Sequence, residues 1–426
     1  MSEEQGVVTC DLEGRIETFS PGAAELFGYT PDELIGRKRI SILSPGKVVL
    51  GHLGTWLQTA SVEGSFATQS VLRRKDGSQF AAEIHITPTF EDGRQIGFRE
   101  VTTPRPELSV DEAMPPTSIK TRIIAGVAIA RAPFLTASMV PILLAAAASI
   151  RAGGWSQFSW GLFALTLVGG VALHLGANIL NDYFDTRSGA DDANNDYFAP
   201  LSGGSRAVEM GLITERGLLI AGLVPLAVAL AAGVVAALVS TSQVWLFGLA
   251  GAFGGYFYTA PPLRLIARKG LGELCIGLCF GPLIVAGARA VLDRGLTASS
   301  LTESLLLGAV LGLLTTAILW INEFPDEAGD RAAGKNNLVV VLGRRAARWG
   351  FLALLSAAPV LLLVSALLGL VPMGALLGLL IAPLGVFAVR VAFRHYDDRQ
   401  LIAANQATVK LQLVAGLLMA VGLLVL

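Results

Sequence analysis

The sequence has few of the residues that would build a disulfide scaffold or a nucleic-acid interface. Three cysteines occur among 426 residues, and Cys10 stands alone. Cys275 and Cys279 lie one helical turn apart inside an apolar run, where cysteine usually serves as a small packing residue. The formal net charge is −1, and the chain has no long run of basic residues. These absences argue against a cysteine metal site, a disulfide-rich fold and a nucleic-acid partner.

Apolar residues are abundant but unevenly distributed. They make up 53% of the chain, and the mean hydropathy is +0.61. Residues 1–104 nevertheless have ordinary charge and short alternating stretches, and long apolar runs dominate the rest. We therefore predict a mainly α protein, in which a polytopic membrane bundle follows a small α+β domain. The expected parts are a small soluble domain at 1–104, a proline-bearing linker at 105–117 and a membrane domain at 118–426.

Three motifs characterise the N-terminal region: Asp-Leu-Glu-Gly-Arg-Ile-Glu at 11–17, a longer helical motif at 24–36 and Arg-Arg-Lys-Asp-Gly-Ser at 73–78. Together they resemble PAS domains, which are sensory or partner-binding modules that in some cases hold haem or flavin. The region lacks the helical cysteine that flavin-binding members use. His52 and His85 are its only histidines, and a lone histidine is seldom an axial ligand. We expect neither cofactor, so the ligand or partner of this module remains unknown.

Nine apolar runs of about 20 residues follow the linker, each near the length needed to cross a bilayer. Basic residues gather in alternate loops, and the intervening loops hold little beyond Arg151 and Arg294. Positive loops mark the cytoplasmic side. We therefore expect an integral protein of the cytoplasmic membrane of a prokaryote, with a cytoplasmic N-terminal domain and an interfacial helix near 118–131. The runs lie at 133–150, 158–181, 217–240, 243–259, 271–292, 303–322, 347–369, 372–391 and 408–426.

Two acidic motifs each follow an apolar run. Asn322, Asp326 and Asp330 are spaced four residues apart, so one helix would present all three on one face. Asn181 and Asp185 repeat the first step of that pattern. Carboxylates at a membrane boundary are costly and usually functional. Two such rows facing each other would suit Mg²⁺, which proteins hold with a few carboxylates together with substrate phosphates.

The region from about residue 131 to the end resembles the UbiA superfamily of intramembrane aromatic prenyltransferases. That family carries Asn-x-x-x-Asp-x-x-x-Asp in its first motif. Here Gly189 stands where the last Asp is expected, and Asp191 and Asp192 follow. The segments at 258–264, 270–274, 280–282 and 330–343 also look like the branch that acts on 1,4-dihydroxy-2-naphthoate in menaquinone synthesis.

The resemblance implies Mg²⁺-dependent transfer of a prenyl group from a polyprenyl diphosphate to an aromatic acceptor. Metal ions would stabilise the leaving pyrophosphate, and apolar helices would keep the allylic cation from water. The implied metal ligands are Asn181, Asp185, Asp191, Asn322, Asp326 and Asp330. Tyr258 would either stabilise the cation through its ring face or serve as an aromatic residue of the membrane interface. The residues expected to bind the diphosphate are Lys335 and Arg206, then Arg131 and Arg264, although each basic residue would also serve as a positive-inside anchor.

Two alternatives remain open at this point. A related transferase could use another acceptor, such as 4-hydroxybenzoate, a glycerol phospholipid ether or a chlorin. A different class of protein, a membrane-anchored PAS sensor without catalysis, would have no use for the acidic rows. The partners expected in either transferase case are the polyprenyl diphosphate, its acceptor and the lipid bilayer.

Overall fold

The computed structural model describes residues 5–188 and 204–426. The chain forms two compact units: the first comprises Met1–Ile129 with Arg206–Glu215, and the second comprises Ala130–Ser205 with Arg216–Leu426. The division differs from the sequence-based domains in two places. The helix at Ile119–Ile129 and the segment Arg206–Glu215 both belong to the first unit, although the sequence assigns them to the membrane domain.

The first unit is built on a five-stranded antiparallel sheet. Its strands are β1 (Gly6–Asp11), β2 (Ile16–Phe19), β3 (Phe66–Arg73), β4 (Gln79–Glu91) and β5 (Arg94–Pro104), in the spatial order β2-β1-β5-β4-β3. Alternating residues of β1, and of the part of β4 that contains Ile84 and Ile86, face a core that includes Val8, Ile84 and Ile86, all nearly or fully buried. This alternation is the period-2 pattern of a half-buried strand. The predicted small α+β domain is confirmed.

Short helices cover one face of this sheet. Helix α1 (Pro21–Phe27) begins where the Ser20 hydroxyl accepts a hydrogen bond from the Ala23 amide, and α2 (Pro31–Leu34) begins at a Thr30–Glu33 capping box. These caps satisfy amides that a helix leaves unpaired at its first turn. The remaining helices of this unit are α3 (Gly46–Val48), α4 (Gly54–Glu63), α5 (Val110–Ala113) and α6 (Ile119–Ile129).

The segment expected to be a linker, 105–117, is partly folded onto the sheet. Arg105 pairs with Glu83 of β4. Ser109 caps α5, and Ala113 of that helix is buried against Val71 and Ala81. Packing against a sheet face restricts this stretch more than its prolines alone would.

The second unit consists almost entirely of helices. Eight of those that the structure describes are long and apolar enough to cross a membrane. They correspond to eight of the nine predicted spans. The remaining predicted run, 243–259, forms α10 (Val244–Phe257), a helix of 14 residues, which at 1.5 Å per residue is about 21 Å long. The consecutive prolines Pro261 and Pro262 follow shortly after it; proline lacks a backbone N–H and disfavours helical backbone at the residue before it.

The α-helices of this unit have the following bounds: α7 (Thr136–Gly153), α8 (Trp160–Ser188), α9 (Glu215–Val239), α10, α11 (Leu271–Leu278), α12 (Ile284–Leu292), α13 (Ala298–Ala332), α14 (Leu338–Leu342), α15 (Arg344–Leu367), α16 (Ala382–His395) and α17 (Ile402–Val425). A 3₁₀ helix, Met373–Ile381, continues directly into α16, and the two together form one of the eight spans. A π-helical turn, Cys279–Leu283, joins α11 to α12.

Helix α13 is the most deeply buried of the eight spanning helices. Its Gly308 packs directly on Gly281 of the π-helical turn: a Cβ atom added at either glycine would lie 2.6 Å from the carbonyl oxygen of the other. Small residues allow helix backbones in membranes to approach this closely. The contact fixes α13, and with it the second acidic row, against the neighbouring helices.

One buried carboxyl group should make the stability of the first unit depend on pH. Glu100 of β5 lies between the buried residues Val8 and Ile86 on the adjacent strands. Burial raises the pKa of Glu100 from 4.5 to about 7, although a hydrogen bond from the Thr102 hydroxyl lowers it in part. The folded state therefore holds this proton more tightly than the unfolded state, so stability should fall as the pH rises from about 4.5 to 7.

We predict that Glu100→Gln stabilises β1 and β5 by up to about 3 kcal/mol at pH 8 and by much less at pH 5. The measurement is hydrogen exchange in the intact protein, followed in peptides from those two strands. Glu91→Gln, at an exposed strand end, is the control. A difference between Glu100→Gln and the native protein that stays constant from pH 5 to pH 8 would contradict the prediction.

Candidate active site

The two acidic rows meet at one cavity in the second unit. This polar cavity has a volume of about 170 Å³. Helix α13 passes through Pro325 without a break, so its polar residues remain in register along one face. The cavity is lined from α8 by His174, Asn178, Asn181 and Asp185, from α13 by Asn322, Glu323, Asp326 and Asp330, and from the connecting segments by Arg131, Tyr258 and Lys335. The predicted convergence of the rows is therefore present.

Lys335 joins the two rows. Its Nζ atom lies 2.9 Å from Oδ1 of Asp185 and 3.7 Å from Oδ1 of Asp330. All three side chains are largely buried. The Asn337 amide donates to Oδ2 of Asp330 at 2.8 Å, and the same side chain caps α14. An ammonium group between two carboxylates offsets the repulsion that would otherwise separate them.

Asn322 is held in place by a residue that the sequence does not single out. Its Oδ1 atom accepts a hydrogen bond of 2.7 Å from Nδ2 of Asn405 on α17, and the same amide donates to the carbonyl oxygen of Ile321 at 3.2 Å. Asn405 is fully buried. Asn322 thus carries a hydrogen bond within the protein at its amide oxygen. Asn405 precedes the predicted apolar run at 408–426, so the pattern of apolar residues does not draw attention to it.

Glu323 is a second residue that the sequence analysis missed. It lies next to Asn322, off the four-residue row, yet its side chain faces the polar cavity. It is 4% exposed, and neither of its carboxylate oxygens has a hydrogen-bond partner within the described part of the chain. Oδ1 of Asn181 is likewise buried without a partner. Such oxygens are the ligands that hard divalent cations take.

The described carboxylates of the polar cavity do not surround a single point at which one metal ion could contact several of them. No group of three or more histidine, cysteine, aspartate or glutamate residues within 5–188 and 204–426 is arranged as a ready metal site. Lys335 stands between the rows where a cation would bridge them. The oxygen ligands fit Mg²⁺ in chemical type, and bringing them together requires the ammonium group to move aside.

Arg131 is positioned by the carboxylate next to the first row. Its Nη1 atom lies 3.8 Å from Oδ1 of Asp182, which is 2% exposed. The Ser205 amide donates to the other oxygen of Asp182 at 3.1 Å. Arg131 lines the polar cavity, so Asp182 holds a cationic side chain at its edge.

The other residues predicted for the site do not line the polar cavity among the described residues, or lie outside them. Arg206 belongs to the first unit, where it pairs with Glu209 at 2.7 Å. Arg264 follows α10 but is absent from the described residues that line the polar cavity. Gly189, Asp191 and Asp192 lie outside the described residues, so the roles assigned to them stay predictions.

A second, apolar cavity adjoins the first. It has a volume of about 440 Å³ and lies among α7, α8, α9, α10, α11 and α12. Six residues line both cavities: His174, Asn178, Asn181, Tyr258, Ile276 and Phe280. A molecule with a charged head and a long apolar tail could therefore occupy both spaces, with its head at the carboxylates and its tail among the helices.

Known proteins resemble both units. The UbiA prenyltransferase family matches residues 138–414, and the PAS domain matches residues 4–103. The 1,4-dihydroxy-2-naphthoate octaprenyltransferase of Mycobacterium tuberculosis is 31% identical over 274 residues, which cover 64% of this chain and 89% of that protein. The Escherichia coli protein of the same name is 32% identical over 267 residues, covering 61% and 82%.

Solved structures agree on the fold of the membrane unit. A UbiA homolog from Archaeoglobus fulgidus, bound to DMAPP and Mg²⁺, superimposes with a TM-score of 0.52 at 17% identity and covers 70% of this chain and 99% of its own. The membrane unit therefore shares its helical arrangement with nearly the whole length of that protein.

The position of Lys335 yields a prediction that can be tested without an activity assay. Lys335→Met would leave the Asp185 and Asp330 carboxylates facing each other without a cation. We predict a lower thermal unfolding temperature in metal-free detergent, and a larger rise on adding Mg²⁺ than the native protein shows, because the metal would supply the missing charge. Lys269→Met, at an exposed position, is the control. Equal shifts in all three proteins would contradict a cation site between the rows.

Proposed function

Since the chain belongs to the UbiA prenyltransferase family, we propose that it transfers a polyprenyl group from a polyprenyl diphosphate to 1,4-dihydroxy-2-naphthoate, a step of menaquinone synthesis. The observation that carries the proposal is the convergence of both acidic rows on Lys335, at a polar cavity that adjoins an apolar one. The octaprenyltransferases named above support the choice of acceptor. Because the chain is a prenyltransferase, its helices do more than anchor a sensor.

The proposed substrate matches both cavities. Lys335 and Arg131 would bind the phosphate oxygens, since each already lines the polar cavity as a largely buried cation. Each is now paired with a carboxylate, so the diphosphate would exchange one anionic partner for another at modest cost. The apolar cavity would hold the prenyl tail and exclude water from the carbon that loses the diphosphate.

Mg²⁺ is the proposed metal. When bound, it would neutralise the charge that develops on the pyrophosphate leaving group. The residues proposed to hold it are Asn181, Asp185, Asn322, Asp326 and Asp330, with Asp191 from the first motif and Glu323 added on the ground that both its oxygens lack partners. Tyr258 would present its ring to the allylic carbon from the border between the cavities.

The acidic rows give the first test. We expect Asp185→Asn and Asp326→Asn each to lower the transfer rate by at least about 100-fold, because each removes a carboxylate ligand of the metal that neutralises the leaving group. The assay supplies a labelled polyprenyl diphosphate, Mg²⁺ and each candidate acceptor in turn, and product masses identify the acceptor that reacts. Asp397→Asn, at an exposed site, is the control. Near-native rates in both variants at saturating Mg²⁺ would refute the metal assignment.

We also propose that the first unit and both acidic rows lie on the cytoplasmic side of a prokaryotic membrane. The basic loops support this orientation. The C-terminal ends of α8 and α13 line one cavity, so α10 is proposed to cross the membrane together with the eight longer helices. A cysteine at position 397, whose native side chain is 75% exposed, should resist impermeant reagents in intact cells, whereas one appended after Leu426 should react. The opposite labelling pattern would reverse the orientation.

Finally, we propose that the PAS domain regulates the transferase through the segment Arg206–Glu215. This segment follows the first acidic motif in sequence, yet it packs within the first unit. The Gly46 amide donates to the carbonyl oxygen of Met210 at 2.6 Å, Arg73 donates to the carbonyl oxygen of Glu209, and Lys38 lies 3.5 Å from the Glu209 carboxylate.

Ser205, the residue that immediately precedes this segment, belongs to the second unit. Ser205 donates its backbone amide to Asp182, and Asp182 faces Arg131. One peptide bond therefore separates the part of the chain held by the PAS domain from the part that positions Arg131. A change in the PAS domain that shifts this segment would alter the cationic edge of the polar cavity without requiring any other contact.

The test uses the full-length protein. Arg73→Ala removes the donor to Glu209, and we expect it to change the transfer rate by about fivefold or more, the usual size of such a coupling. Arg74→Ala is the matched control, since the neighbouring Arg74 packs inside the domain on Phe80 and Leu26. Hydrogen exchange in 206–215 confirms that Arg73→Ala loosens the segment. A loosened segment with an unchanged rate would contradict the proposal.

A further inference from the structure

Three polar groups at the border between the two cavities lack partners. They are Nδ2 of Asn178, Oδ1 of Asn181 and the hydroxyl group of Tyr258, all buried and without a hydrogen bond to any described residue. All three residues line both cavities. Tyr258 is 9% exposed. A buried polar group left without a partner costs about 1–3 kcal/mol, and lipid offers nothing to satisfy it. Their grouping at one place indicates a ligand that supplies the missing hydrogen bonds.

The proposed metal would take Oδ1 of Asn181, but neither it nor the two parts of a prenyl diphosphate account for Asn178 and Tyr258. Asn178 precedes Asp185 by seven residues on α8, which places it about 10 Å along the helix from the carboxylate that faces Lys335. The diphosphate would be drawn to the charged end of the polar cavity. The prenyl tail has no polar atoms. The amide of Asn178 and the hydroxyl of Tyr258 are uncharged, so they suit a neutral polar group between those two parts.

Aromatic side chains complete the border. The ring of His174 meets that of Phe280 edge to face with centroids 4.5 Å apart, and both residues line both cavities. Nδ1 of His174 forms a hydrogen bond of 2.7 Å with the Ser138 hydroxyl, which fixes the orientation of the imidazole. Flat walls with a few oriented polar groups are typical of a pocket for an aromatic ligand.

We propose that the aromatic acceptor binds at this border, with a ring hydroxyl group held by the amide of Asn178 and the hydroxyl of Tyr258, against His174 and Phe280. A phenolic hydroxyl both accepts and donates a hydrogen bond, so it can satisfy donor and acceptor groups together. The inference rests on the proposed function and specifies its acceptor subsite. It makes Asn178 and Tyr258 the residues that select a hydroxylated ring, and it places that ring beside the segment of the prenyl diphosphate that crosses between the cavities.

Steady-state kinetics of the full-length protein test this site. We expect Asn178→Ala and Tyr258→Phe each to raise the KM for 1,4-dihydroxy-2-naphthoate about 3- to 10-fold, the effect of one lost hydrogen bond. The KM for the polyprenyl diphosphate should change less than about twofold. Ser304→Ala is the control, because that buried hydroxyl bonds only to its own helix at 2.7 Å and lines neither cavity.

Competitive inhibition gives a second measurement: the ratio of the inhibition constants of two ring compounds, which a general packing defect would leave unchanged. The native protein should bind 1-hydroxy-2-naphthoate more tightly than 2-naphthoate, and both variants should lose that preference. Tyr258→Phe removes a single oxygen, so it provides the test even if Asn178→Ala fails to fold. Equal rises in both KM values, or a hydroxyl preference that survives in the variants, would overturn the acceptor site. A native protein that prenylates no aromatic acceptor would instead overturn the proposed function.

Discussion

A buried ammonium group between two carboxylates organises the membrane unit. Asp185 comes from α8 and Asp330 from α13, and Lys335 contacts both within 4 Å. Without the ammonium group of Lys335 between them, the negative charges of the two buried carboxylates would repel each other strongly. A further buried ion pair lies at the cavity edge, where Asp182 faces Arg131. Among the described residues that line the polar cavity, Lys335 and Arg131 are therefore held in place before any substrate arrives, and an anionic ligand can replace a carboxylate partner of each.

The charged site depends on close packing between helix backbones. Gly281 and Gly308 let the π-helical turn approach α13 closely enough that any side chain at either position would clash. Asn405 of α17 also donates hydrogen bonds to the amide oxygen of Asn322 and to the carbonyl oxygen of Ile321, both on α13. These two sets of contacts hold α13 against its neighbours and limit the movement of its carboxylates. Preorganisation of this kind reduces the reorganisation that catalysis would otherwise require.

The division into two units does not follow the order of the chain. Segment Arg206–Glu215 lies between two membrane helices in sequence, yet its backbone carbonyl groups find donors on Gly46 and Arg73 of the first unit. Residues 105–117 likewise carry several prolines but bury Ala113 against the sheet. In the first case backbone carbonyl groups accept hydrogen bonds from residues distant in sequence, and in the second a small apolar side chain packs against such residues. No local pattern of residues reveals these contacts.

The sequence by itself determined the helical spans, the antiparallel PAS-like domain and the acidic rows, because each depends on local periodicity: a bilayer needs about 20 apolar residues, and a helix repeats every 3.6. It also indicated Lys335 and Tyr258, which follow recognisable motifs. Only the tertiary structure decided that Lys335 bridges Asp185 and Asp330, that Glu323 and Asn178 face the cavities and that Asn405 supports Asn322. These assignments depend on contacts between residues more than 60 positions apart in the chain, or on the direction of one side chain on a buried helix. Such contacts are set by how the helices pack, and helix packing depends on the shape of whole surfaces rather than on any single stretch of sequence.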